Sequence, residues 1–161
     1  MDFEDFKILA IDQATRTGFA ILDGNSGEVV ESGVWDLADK KRSGESRGMR
    51  YIRFEKRLEE VQAKYQVKIV VHEQTLQRGG AATEIANGLK ALVLKFAAKH
   101  GVEVTCVHTT ELKKFATGRG NADKADMIEA CVRKTLVIPA DDNEADAILI
   151  GLWAVDKFGN A

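Results

Sequence analysis

Phe6–Asp12 (FKILAID) is a short apolar run that ends on a carboxylate, the pattern of a central strand buried on both faces. Thr17–Asp23 (TGFAILD) reads as a second strand, and Gly24–Asn25–Ser26–Gly27 supplies turn residues of hairpin type before Glu28–Asp36 returns as a third. The chain therefore opens as an antiparallel meander, not as a strand–helix Rossmann unit. Between Ser43 and Tyr65 the apolar positions Tyr51, Phe54, Leu58, Val61 and Tyr65 recur at helical spacing. Val67–Glu73 (VKIVVHE) is a fourth strand, again closing on a carboxylate. Thr83–His100 follows as a helix with Ile85, Leu89, Leu92, Val93 and Phe96 facing inward, and Val102–Val107 as a fifth strand. Helical stretches near Thr110–Ala116, Asp123–Leu136 and Asn143–Phe158 complete the chain. The order β-β-β-α-β-α-β-α-α-α predicts an α/β fold, a mixed five-stranded sheet flanked by helices.

At 161 residues, 45% apolar and 30% charged, the chain fits one compact domain, 1–161, with a proper core. It holds no apolar run long enough for a membrane span, and its acidic start at Met1–Phe6 lacks a signal-peptide plan, so a cytoplasmic protein is expected. Cys106 and Cys131 lack metal-site spacing and sit in apolar runs, which predicts two buried thiols. The net charge of -2 conceals an uneven distribution. Lys40, Lys41, Arg42, Arg47, Arg50, Arg53, Lys56 and Arg57 crowd one segment against only Glu45 and Glu55. A phosphate backbone responds to local potential of this kind rather than to the total. Arg50, Arg53 and Arg57 form a stripe beside the apolar face of their helix, for DNA, a partner subunit or plain solvent.

Asp12 and Glu73 each end a strand, where rigid scaffolds commonly present chemistry. Asp142 and Asp146, four apart, share one face at the start of the last helix, ahead of the apolar stretch AILIGLWAV. A carboxylate at such an edge is costly unless something positive compensates it. An oxygen-only set suits Mg²⁺, and two such ions can activate water and stabilise a leaving oxygen. The plainer alternative is that these are turn residues, with Asp142 or Asn143 as the helix N-cap.

ILAIDQATRTGFAILD resembles the first hairpin of the RuvC-type Holliday junction resolvases, which are ribonuclease-H-like nucleases. VVHEQTL resembles that family's E-Q segment, TTELKKFATGRGNADKADMIEACV its basic stretch, and DDNEADAILIGLWA its closing helix. The resemblance implies a ribonuclease-H-like fold and metal ligation by Asp12, Glu73 and Asp146. Where the family has a ligand three before Asp146 this chain has Asn143, so the fourth ligand is either Asp142, which can serve from the same helix face as Asp146, or Asn143 through a neutral oxygen. Two Mg²⁺ ions are implied, with Mn²⁺ substituting. Lys124 is expected to hold or neutralise the scissile phosphate, with Lys113, Lys114 and Arg119 beside it, although lysines on a helix face are more often simply solvated. Leu76 stands where bacterial members favour an aromatic wedge, and with Arg78 it is expected on the DNA. The implied activity is hydrolysis of DNA at four-way junctions by paired nicks from a homodimer, leaving 5′-phosphate and 3′-hydroxyl ends, with the Thr83–His100 helix at the dimer interface. Rival readings are a nuclease for other branched DNA or for RNA, a non-catalytic DNA-binding descendant, and an actin-like ATPase-type module. The last is disfavoured by length and by Ala14, where a glycine is usual.

Overall fold

The structure, a computed structural model, describes residues 5–74 and 79–159. Its elements run β1 (Lys7–Asp12), β2 (Arg16–Asp23), β3 (Val29–Asp36), α1 (Gly48–Tyr65), β4 (Ile69–Gln74), α2 (Ala81–His100), β5 (Glu103–His108), α3 (Thr109–Thr117), α4 (Lys124–Thr135) and α5 (Asp142–Phe158), the expected order. The sheet order is β3-β2-β1-β4-β5. β1 pairs antiparallel with β2 and parallel with β4, and β5 continues parallel beyond β4. No helix among the described residues is long and apolar enough to cross a membrane.

Side-chain alternation along the strands divides the interior into two cores. Ile8, Ala10, Ala20, Leu22, Ile69, Val71 and Val107 face α3, α4 and α5. Leu9, Ile11, Phe19, Ile21 and Val70 face α1 and α2. β1 lies between them, and Ile8 through Ile11 have no exposed surface, which is why its sequence is continuously apolar instead of alternating. The turn after β2 forms as its residues dictate. Asp23 Oδ1 accepts from Asn25 N at 2.9 Å and from Ser26 N at 2.7 Å, and Gly27 takes a positive φ of 77°.

Three expectations need correction. The first helix begins at Gly48 rather than Ser43, because Gly44 adopts φ 77° and the chain turns at Arg42–Glu45 before the helix can start. Arg53 is not part of a free basic stripe: its guanidinium grips the Glu45 carboxylate and donates to Leu37 O at 2.7 Å. Cys131 is buried, but Cys106 is exposed, since it lies on β5, the edge strand of the sheet.

Candidate active site

Parity carries the two strand-end carboxylates to one side of the sheet. Asp12 continues the series Ile8, Ala10, and Glu73 continues Ile69, Val71, so both belong to the face packed by α5. The parallel ladder pairs Ile11 with His72. One step further on stand Asp12 and Glu73, side by side at the sheet's centre. Gln13 secures this junction, donating from Nε2 to Glu73 O at 3.1 Å. Thr17, fully buried, donates to Ala14 O at 2.6 Å and braces the turn from β1 into β2.

α5 brings the remaining carboxylates. Its first turn lies directly on β2: a Cβ placed on Gly18, the register partner of Asp12, would collide with the Asn143 carbonyl. Further along, Gly151 makes the same close approach to Leu22. Asp141 is the N-cap, its Oδ1 accepting from Glu144 N at 2.9 Å. Buried Glu144 accepts from Ser32 Oγ at 2.7 Å and from Ala140 N at 2.9 Å. With the turn so fixed, Asp142 and Asp146 line a cleft of about 370 Å³ together with Glu73, Thr109, Lys113 and Lys124.

The acidic groups feel one another. Burial raises the Asp12 carboxyl well above the ordinary carboxylate range, and the negative charges of Asp146, Glu73, Asp142 and Asp141 raise it further. Asp146 is pushed up to about 7, first by burial and then by Glu73 and Asp142, while Lys113 and Lys124 pull it back down. Such mutual perturbation within a cleft marks a functional site on physical grounds. Glu73 Oε1 accepts from Thr109 Oγ1 at 2.5 Å, and Asp142 Oδ2 meets Lys124 Nζ at 3.4 Å. Among the described residues, no three His, Cys, Asp or Glu side chains stand close enough together to hold a metal ion without moving. The set still fits a hard divalent cation. It is all oxygen, partly buried, and held at an electrostatic cost that bound positive charge would remove.

The sequence matches the family model described as crossover junction endodeoxyribonuclease RuvC over residues 8–153. The chain belongs to the RuvC family. It is 31% identical over 151 residues to the crossover junction endodeoxyribonuclease RuvC of Rhodococcus opacus, covering 88% of this chain and 75% of that one. In fold it is similar to Thermus thermophilus RuvC in complex with a Holliday junction substrate, with a TM-score of 0.78 at 19% identity over 95% of this chain and 93% of that one. It is also similar to the yeast mitochondrial Holliday junction resolvase, with a TM-score of 0.64 at 13% identity over 96% and 84% of the two chains. The family is one of metal-dependent nucleases.

Within this RuvC framework, Glu73, Asp142, Asp146, Lys113 and Lys124 share the cleft, and Asp12 adjoins it through strong electrostatic coupling. Lys114 and Arg119 do not line it. Lys114 lies along Gly120 on an exposed face, and Arg119 pairs with Asp126 at 3.1 Å in a separate cleft bounded by Glu129 and Arg133. Leu76 and Arg78 fall outside the described residues. Burial tends to raise the Asp141 carboxyl, but Glu144 N, then Arg16 and last the Asn143 side chain hold it below the usual range, while Asp142 lines the cleft. Sequence reasoning missed Asp141, Thr109, Gln13 and the Ser32–Glu144 pair. The spacing Asp141-x-x-Glu144 was the available signal for the cap; the others depend on contacts across the sheet.

Proposed function

We propose that this chain is a structure-selective DNA endonuclease that resolves four-way junctions. The observation that carries the reading is the gathering of three carboxylates, from β4 and α5, with two lysines on one cleft of a RuvC-family chain, next to the Asp12 carboxyl of β1, which feels their charge. Asp12, Glu73, Asp142 and Asp146 would hold two Mg²⁺ ions, with Mn²⁺ able to substitute, which supply Lewis acidity and an activated water when bound. The protein's own residues do the rest. Lys124, 84% exposed at its side chain and paired with Asp142 at 3.4 Å, can swing onto a non-bridging phosphate oxygen and neutralise the charge that grows there. Lys113, which lines the same cleft, orients the same phosphate. Thr109 fixes the Glu73 carboxylate by its hydroxyl, and Asp12, half-buried at the end of β1, completes the carboxylate set. Leu76 and Arg78 would meet the DNA at the branch point, and Lys114 and Arg119 would contact its arms.

A four-way junction has two-fold symmetry, so paired nicks call for two sites in a C₂ homodimer. The outer face of α2 suits that contact: Asn87, Ala91, Leu94 and Ala98 are exposed at helical spacing, and Leu94 is 51% exposed. One domain, 1–161, carries all of this, and a cytoplasmic location gives it access to DNA.

Cutting of a synthetic four-way junction, a flap, a fork and an RNA–DNA hybrid in Mg²⁺, with EDTA controls, tests the reading. The junction should be cut in preference, with symmetric nicks, and Asp12→Asn should abolish cleavage while binding persists. Cleavage surviving in that variant, or preference for the hybrid, would overturn the assignment.

A further inference from the structure

Arg16 opens β2 and reaches two carboxylates from different elements. Its Nη2 lies 3.1 Å from Asp141 Oδ2, and its Nη1 lies 3.4 Å from Asp36 Oδ2 at the end of β3. The other oxygen of Asp141 caps α5 through Glu144 N. A single carboxylate thus terminates the helix and is gripped by a guanidinium from the strand beneath. Among the described residues this is the one ion pair that joins the sheet to the α5 cap. The backbone around it is equally anchored, since Leu37 N donates to Thr15 O at 2.9 Å and the Asn143 carbonyl sits on Gly18, two residues along β2.

The pair has little to offer stability. The Arg16 and Asp141 side chains are 49% and 21% exposed, and an ion pair left open to solvent in this way contributes little to folding. Its position, however, matters to the site. α5 is rigid, and Asp142 and Asp146 ride on its first turns, so whatever fixes the cap relative to β2 also fixes their distance from Asp12 and Glu73. We propose that Arg16 is a positioning residue. Acting through Asp141, it sets the placement of the α5 first turn against the sheet, and hence the fit of the carboxylate cleft to divalent cations. This rests on the reading of the cleft as a cation site.

Charge and position predict opposite signs, which makes the idea testable. If Arg16 acted only as a nearby positive charge, removing it would tighten cation binding. A positioning role predicts weaker binding despite the lost charge. The experiment measures Mn²⁺ binding to the free protein by electron paramagnetic resonance, and in parallel the Mg²⁺ concentration for half-maximal junction cleavage. It compares the parent chain with Arg16→Gln, Arg16→Lys, Asp141→Asn and the Arg16→Gln/Asp141→Asn double variant. Asn retains the helix cap but loses the ion pair. Arg16→Gln and Asp141→Asn should each weaken Mn²⁺ binding by about 10–100-fold, the usual effect of losing an outer partner of a metal site. The double variant should be no worse than either single one, and Arg16→Lys should recover part of the loss, all with melting temperatures near the parent's. Unchanged or tighter Mn²⁺ binding in Arg16→Gln, or additive losses in the double variant, would overturn the proposal while leaving the nuclease reading intact. A parent chain that binds no Mn²⁺ would overturn both.

Discussion

Asp146 carries the site's tension in a single group. Its carboxyl is raised from 3.8 to about 7 by burial and by Glu73 and Asp142, so the folded chain binds this proton more tightly than the unfolded chain does. The stability linked to it is fully present below pH 3.8 and is lost as pH rises through about 7. Asp146→Asn should therefore stabilise the cation-free protein at pH 8 by up to about 4 kcal/mol, with little effect at pH 4. Urea melts in EDTA at the two pH values check this, and equal midpoints for parent and variant at pH 8 would count against it. Leu136 is a second residue held at a cost. It ends α4 at φ 62° with its side chain 85% exposed, a backbone that glycine takes freely. Leu136→Gly should raise stability by roughly 0.5–1 kcal/mol in the same melts. The Asp146 cost is legible in the sequence only as a carboxylate at the edge of an apolar stretch, and the Leu136 cost not at all. A carboxylate at a strand end or helix start looks like a turn residue until its neighbours are known, and Leu136 merely continues an apolar run. Cys106 failed for a related reason: an apolar neighbourhood in sequence does not reveal that its strand lies at the sheet edge.

The elements themselves were largely written in the pattern. Continuous apolar runs gave the buried strands, and the 3.6-residue period gave α1 and α2, with Phe54, Leu58 and Val61 buried as expected. What periodicity could not supply was the docking of α5 on β2. That contact depends on Gly18 and Gly151, whose missing side chains let the helix close on the Asn143 carbonyl side and on Leu22. Gly18→Ala inserts a methyl group where backbone already stands. The expected outcome is destabilisation by about 1–3 kcal/mol, with a loss of cleavage beyond what the folded fraction explains, because α5 must lift and take Asp142 and Asp146 with it. Wild-type cleavage by Gly18→Ala would mean that this close approach does not govern the site. The start of α1 shows the opposite limit: its apolar period was clear, but the turn at Gly44 and the Arg53–Glu45 grip were not.

At the scale of the whole molecule, charge had to be read locally. A chain of net charge -2 binds a polyanion only where basic groups gather, and several of its basic residues are already matched within the fold, Arg53 with Glu45, Arg57 with Glu60 and Arg47 with Glu84. Lys113 and Lys124 face the carboxylate cleft instead. Replacing either with Ala should weaken junction binding and lower the slope of log affinity against log salt by about 1; an unchanged slope would remove that lysine from the phosphate contacts. The family and the order of elements were legible because four separated segments keep their sequence and spacing. The meeting of their side chains was not, since it arises only when parallel pairing aligns β1 with β4 and α5 crosses over β2. Diffraction from crystals soaked in Mn²⁺, read by the metal's anomalous signal, tests that meeting most directly. The expected result is density bounded by the carboxylates of Asp12, Glu73, Asp142 and Asp146. Manganese bound elsewhere, with these four side chains left without it, would contradict it.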